Sequence, residues 1–122
     1  MPALIVFSDD PLPTVFPSLE YAMGYMEGID VENGEYTAIY TVGGRIVRAE
    51  AQGNAVELTI TEERDRDDLL ARLRAWRDDI DDPVEYARTY LRREWEGRWP
   101  KRPRWLDRRL HGTAPPPLEV DT

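Results

Sequence analysis

Residues 35–61 read EYTAIYTVGGRIVRAEAQGNAVELTIT, and this stretch decides the fold. It divides into three antiparallel strands, Glu35–Val42, Arg45–Gln52 and Ala55–Thr61, joined by Gly43-Gly44 and by Gly53-Asn54. Both dipeptides are hairpin signals, because the favoured two-residue turns need positive φ, which glycine reaches without a Cβ clash. Across Gly43-Gly44 the expected register sets Val42 against Arg45, Tyr40 against Val47, Ala38 against Ala49 and Tyr36 against Ala51. Across Gly53-Asn54 it sets Ala51 against Val56, Ala49 against Leu58 and Val47 against Ile60. Opposed residues share a face, so both turns place one apolar set on one side. Thr37, Ile39, Thr41, Ile46, Arg48 and Glu50 are expected on the other, toward solvent or a partner.

Working outward, Ala3–Ser8 is an apolar run closed by Asp9-Asp10-Pro11, a strand available as a fourth member of the meander. Pro11, Pro13 and Pro17 keep the next segment an extended loop. A single helix is then expected from Pro17 or Ser18 to Asn33-Gly34, with Leu19, Ala22, Met23, Met26 and Asp30 on one side, the last at its frayed end. After the meander, Thr61 or Asp65 caps a helix whose stripe is Leu69, Leu70, Leu73, Trp76 and Ile80. A last helix starts at Asp82-Pro83 with Glu85 completing a capping box, and runs to about Gly97 on the stripe Val84, Ala87, Tyr90 and Leu91. The order is strand, helix, three-stranded antiparallel meander, two C-terminal helices, extended basic tail: an α+β domain over 1–97 and a Trp/Pro-rich extension over 98–122 whose last dozen residues read as a loose tail.

The 122 residues fit one domain that buries roughly two thirds of its unfolded surface. There is no cysteine, which excludes disulfides, thiolate metal sites and cysteine nucleophiles. The opening MPALIVF is too short for a signal peptide and no apolar run approaches the length of a membrane span, so a cytoplasmic protein without membrane attachment is expected. Fifteen of the sixteen basic residues are arginine, a usage typical of GC-rich bacterial genomes.

The net charge of −8 is unevenly distributed. Residues 1–44 hold seven acids and no base, residues 45–97 carry a net of −4, and residues 98–122 a net of +3. An acidic body repels phosphates and anionic membrane and favours encounter with a basic protein. Asp9, Asp10, Glu20, Tyr21, Tyr25, Glu27, Asp30, Glu32 and Glu35 are therefore the candidate partner-binding residues, with tyrosines as anchors and carboxylates imitating an anionic substrate; the plainer reading is a solvated surface. Trp99, Arg102, Arg104 and Trp105 form a second candidate patch. It could pack back onto the body, meet a protein or stack on RNA, and the acidic body weighs against the last.

Other constellations read as ordinary structure. Asp9-Asp10-Pro11 is turn chemistry rather than a metal ligand pair, since no histidine accompanies it. Asp78–Asp82 lacks calcium-loop spacing and reads as capping and solvated charge. His111, the one histidine, has no paired nucleophile. No phosphate-binding glycine loop occurs. No catalytic residue, metal or cofactor is expected, and the protein is read as a non-enzyme.

Gly34-Glu35-Tyr36 with Tyr40, followed by the Gly43-Gly44-Arg45 hairpin, in a small, acidic, cysteine-free α+β chain with an N-terminal helix, resembles the immunity proteins of bacterial polymorphic toxin systems. The resemblance lies in size, charge and architecture over residues 1–97. It implies a stoichiometric inhibitor that blocks the active site or substrate groove of a cognate, basic toxin domain. The competing expectation is a regulatory or structural subunit that docks through its Trp/Arg tail onto a protein or RNA assembly. Charge reversal at Glu20 and Glu27 would impair the first and deletion of 98–122 the second.

Overall fold

A computed structural model describes residues 2–96 and 118–121. The strands are β1 (Leu4–Ser8), β2 (Thr14–Phe16), β3 (Tyr36–Thr41), β4 (Arg45–Gln52) and β5 (Ala55–Arg64), and the helices are α1 (Leu19–Tyr25), α2 (Gly28–Glu32), α3 (Arg66–Trp76) and α4 (Pro83–Glu96). The fold is α+β, a five-stranded antiparallel sheet of order β2-β1-β3-β4-β5 with two C-terminal helices. The first strand does join the meander, pairing with β3 from Leu4 opposite Thr41 to Ser8 opposite Tyr36. Among the described residues no helix is long and apolar enough to cross a membrane.

The β4–β5 register is the expected one, with Ala51 opposite Val56, Ala49 opposite Leu58 and Val47 opposite Ile60. The β3–β4 register is not: Tyr40 opposes Ile46, one residue away from the expected Val47. The connection is a three-residue loop, Val42-Gly43-Gly44, in place of a two-residue turn. Gly44 donates to the Thr41 carbonyl at 2.9 Å with φ +94°, and the Arg45 amide donates to Thr41 Oγ1 at 2.9 Å. One residue of slip exchanges the two faces of β3. Ile39 and Thr41, expected to face outward, are buried, while Tyr40 and Ala38 cross to the opposite side from Val47 and Ala49. Thr37, Arg48 and Glu50 are exposed as expected and Ile46 is half-buried.

One sheet face therefore carries Leu4, Val6, Phe16, Ile39, Val47, Leu58 and Val56, continuous across all five strands. Helices α1 and α2 cover it, meeting β2, β4 and β5. The small Ala49 and Ala51 let them approach. The other face carries Ile5, Phe7, Val15 and Tyr40. Here α3 closes over the Phe7–Tyr40 edge-to-face pair: Tyr40 Oη donates to Asp68, whose carboxylate also accepts from Arg72 Nε at 2.8 Å, and the Arg72 guanidinium lies over the Phe7 ring. Helix α4 packs beside β2, and Tyr86 Oη donates to the Pro13 carbonyl at 2.7 Å. β1, between these layers, is buried on both sides from Leu4 to Phe7.

Three further expectations are corrected. The segment after Pro13 is a strand, because Val15 and Phe16 bury their side chains beside β1 while Pro17, lacking an N–H, ends the ladder. The single N-terminal helix is two helices: Met26 is extended, and the Gly28 amide donates to the Asn54 carbonyl at 3.1 Å. The end of the tail is anchored rather than loose. Ala3 donates to the Glu119 carbonyl at 3.0 Å, and Asp121 accepts from Thr41 Oγ1 at 2.6 Å and from the Gly43 amide at 2.8 Å.

Helix starts follow the sequence more closely. Asp65 caps α3 by accepting from the Asp68 amide at 3.0 Å, and Asp82 caps α4 by accepting from the Val84 amide at 3.0 Å. Leu69 and Leu73 of the α3 stripe are buried, but Trp76 at its end is 37% exposed.

Candidate functional site

The acidic N-terminal third folds into two adjoining concavities. Ser18 caps α1 by accepting from the Tyr21 amide at 3.3 Å. Leu19, Ala22 and Met26 turn into the core, which leaves Glu20, Gly24, Tyr25 and Glu27 on the outer side. The break at Met26-Glu27 and the docking of Gly28 on the β4–β5 turn redirect the chain into α2. The Glu35 amide donates to the Asp30 carbonyl at 3.0 Å and brings the start of β3 back beside α2.

The larger concavity, about 680 Å3, lies between the α1–α2 junction and the β4–β5 turn, with Glu20, Tyr21, Tyr25, Glu27, Asp30 and Tyr36 in its lining. The smaller, about 330 Å3, lies over the β1–β2 loop and is lined by Asp9, Asp10, Phe16 and Glu35 among others. Tyr25, Asp30 and Tyr36 line both and make them one groove. Six carboxylates border it, and among the described residues no arginine, lysine or histidine does.

Eight of the nine residues singled out from the sequence line this groove; Glu32 is exposed on α2 and lines neither concavity. Asp10 is partly occupied with its own turn, its Oδ1 accepting from the Leu12 amide at 3.0 Å. Tyr21 is half-buried against the core, whereas Tyr25, braced by Phe16 with ring centroids 5.5 Å apart, is 43% exposed. Two contributors escaped the sequence reading. Ile29, 59% exposed, lines the larger concavity because the helix breaks before it; an isoleucine set among the acids of Glu27-Gly-Ile-Asp-Val-Glu32 is the signal available. Tyr36, expected on the apolar sheet face, does pack against the core, since the irregularity between Phe7 and Ser8 sets it opposite Ser8, and it also stands half-buried at the junction of the two concavities.

The groove's charge is visible in its titrations. The Glu35 carboxyl is held above its ordinary range, first by a hydrogen bond shared with the Asp30 carboxyl and then by the charges of Asp30, Asp9 and Glu27 together with burial. Burial, with Asp30, Tyr25, Glu35 and Glu27 behind it, pushes the Tyr36 hydroxyl up to about 12. Carboxylates that repel one another favour a ligand carrying positive charge. Among the described residues no three His, Cys, Asp or Glu side chains are grouped to hold a metal ion.

The other polar constellation, Tyr40–Asp68–Arg72, is internally satisfied. Asp68 is held below its ordinary range by the hydrogen bonds from Tyr40 and Arg72. Its partners are spoken for, and its evident role is to fasten α3 to the sheet. Trp99, Arg102, Arg104, Trp105 and His111 lie outside the described residues.

Comparison with protein-family models, curated proteins and solved structures finds no match. The functional reading rests on the chemistry of the groove.

Proposed function

We propose that this chain is a non-catalytic binding protein that neutralises a cognate bacterial toxin domain, acting in the cytoplasm by laying its acidic groove over a basic active site or substrate channel. The observation that carries the reading is the composition of that groove among the described residues: six carboxylates, no base, and the exposed apolar surfaces of Tyr25 and Ile29 at its rim. Uniform negative charge accelerates encounter with a basic surface, and burial of aromatic and aliphatic anchors sets the dissociation rate. A toxin domain that acts on nucleic acid or nucleotides carries cationic side chains where its anionic substrate binds, and the groove offers carboxylates in the substrate's place. The resemblance to immunity proteins in size, charge and architecture supports the same reading.

The test is co-expression with the product of the neighbouring upstream gene. A tight one-to-one complex that restores growth to cells producing that protein is the expected result. Recovery of RNA, or of an assembly held through residues 98–122 alone, would overturn it in favour of a subunit docking through its Trp/Arg tail.

A further inference from the structure

The geometry points to a seat for an arginine side chain of the partner at the junction of the two concavities, with Asp30 and Glu35 as its counter-charges and Tyr25 and Tyr36 as its aromatic walls. This deepens the proposed toxin-binding role and relies on it for the partner's identity, but the seat is a property of this chain and can be probed alone. Asp30, Tyr25 and Tyr36 are the three residues common to both concavities, and Glu35 is drawn to them by its backbone bond to the Asp30 carbonyl.

Two features select a guanidinium over other cations. Among the described residues no three His, Cys, Asp or Glu side chains are grouped to hold a metal ion. The walls are aromatic: Tyr25 rests on Phe16 and remains 43% exposed, so its ring is held in place with surface to spare. A guanidinium is planar, stacks on aromatic faces and offers five donors in a fork that matches carboxylates, whereas an ammonium is a compact, strongly hydrated charge. The Asp30 hydrogen bond at Glu35 and burial at Tyr36, followed at both by the charges of neighbouring acids, raise the two groups above their ordinary range. Among the described residues none of the lining carries a base.

The probe is a hexa-arginine peptide titrated into the full chain by calorimetry at low ionic strength. Asp30→Asn combined with Glu35→Gln is expected to weaken binding about tenfold, the size of one lost charge-assisted contact. Tyr25→Ala is expected to weaken it several-fold and Tyr25→Phe to leave it unchanged, because the ring face and not the hydroxyl does the stacking. Hexa-lysine is expected to bind more weakly than hexa-arginine. Each variant's melting temperature is recorded alongside; removing repelling carboxylates should not lower it, so a folded variant is available for the decisive comparison. Glu62→Gln with Glu63→Gln, exposed acids on β5 away from the groove, serves as the control. Equal weakening by the control pair, undiminished binding by the Asp30/Glu35 variant, or no binding of the arginine peptide would each overturn the seat. A toxin bound and neutralised equally well by that variant would retain the binding role and discard the seat; peptide bound there with no protein partner would do the reverse.

Discussion

At Gly28 a Cβ would stand 2.2 Å from the Gly53 carbonyl oxygen and 3.1 Å from that of Ala55, and both are backbone atoms that cannot swing aside. The residue is buried, its amide bonds to Asn54, and it marks where the first helix breaks to begin the second. Gly28→Ala must push α2 away from the β4–β5 turn, and it should cost about 1–3 kcal/mol, the range for overpacking a filled site. Gly24 is the built-in contrast. It lies in α1 with nothing within 4 Å of its would-be Cβ, so Gly24→Ala should gain roughly 0.5–1 kcal/mol from helix propensity alone. Urea midpoints of the two variants should move in opposite directions; a neutral Gly28→Ala would mean that α2 does not rest on the turn. Nothing in the sequence announces this contact. Gly24 and Gly28 look alike four residues apart, and only the arrival of a chain segment 26 residues downstream separates them. Asp121 is similar: a penultimate acid in a polar tail becomes the acceptor for the Gly43 amide and the Thr41 hydroxyl only after the chain has folded around it.

Elements were legible wherever local chemistry was sufficient. The β4–β5 hairpin was, because Gly53, at φ +63°, and Asn54 make a two-residue turn that leaves one register open to the alternating strands. The β3–β4 pairing was not, because Gly-Gly tolerates either loop length, and the choice was made by the Thr41 hydroxyl and Asp121, neither of which registers in a strand pattern. β2 was hidden by its prolines and its three-residue length. In the well-read hairpin, Leu58 is 5% exposed opposite Ala49 and faces α1 and α2. Leu58→Ala should lose about 2–5 kcal/mol in denaturant unfolding, the range for a truncated core leucine; an unchanged midpoint would place this face outside the core. Tyrosines mark the seams between elements. Tyr40, on the α3 seam, is pushed up to about 12 mainly by burial and by its bond to Asp68, and burial likewise raises Tyr86 and Tyr90 against β2. A tyrosine that ionises near 10 when unfolded and later when folded holds its proton longer in the native state, so stability falls as pH rises through that interval. The stabilisation should be intact below pH 10 and eroded progressively toward pH 12, with phenolate absorbance rising together with loss of helical circular dichroism. Phenolates that appear before any loss of structure would show that the seams admit water.

For the molecule as a whole, charge is arranged on a larger scale than any one contact. A net of −8 overall coexists with an N-terminal third that contains no base, and folding gathers six of its seven acids into one groove, around the α1–α2 junction and the β1–β2 loop. The acidity was legible from composition; its concentration in a groove was not, because it depends on the helix break and on the return of β3 to α2. Glu20 and Glu27 sit on the rim of the larger concavity and are both exposed, so they make little difference to folding and a large one to the field outside it. Glu20→Arg with Glu27→Arg should therefore leave the melting temperature nearly unchanged. The same pair places two cations where a basic partner approaches and should lower its association rate by about tenfold or more at low salt, with a much smaller change in the dissociation rate. Raising the ionic strength should narrow the difference between variant and parent, since the Debye length shrinks from about 30 Å at 0.01 M to about 8 Å at 0.15 M and the rim charges cease to act at a distance. Stopped-flow association at both salt concentrations reads these effects directly. An association rate indifferent to the reversal would remove the groove from the partner's path, and a slower rate that salt fails to restore would assign the effect to lost contacts at the rim instead of to steering.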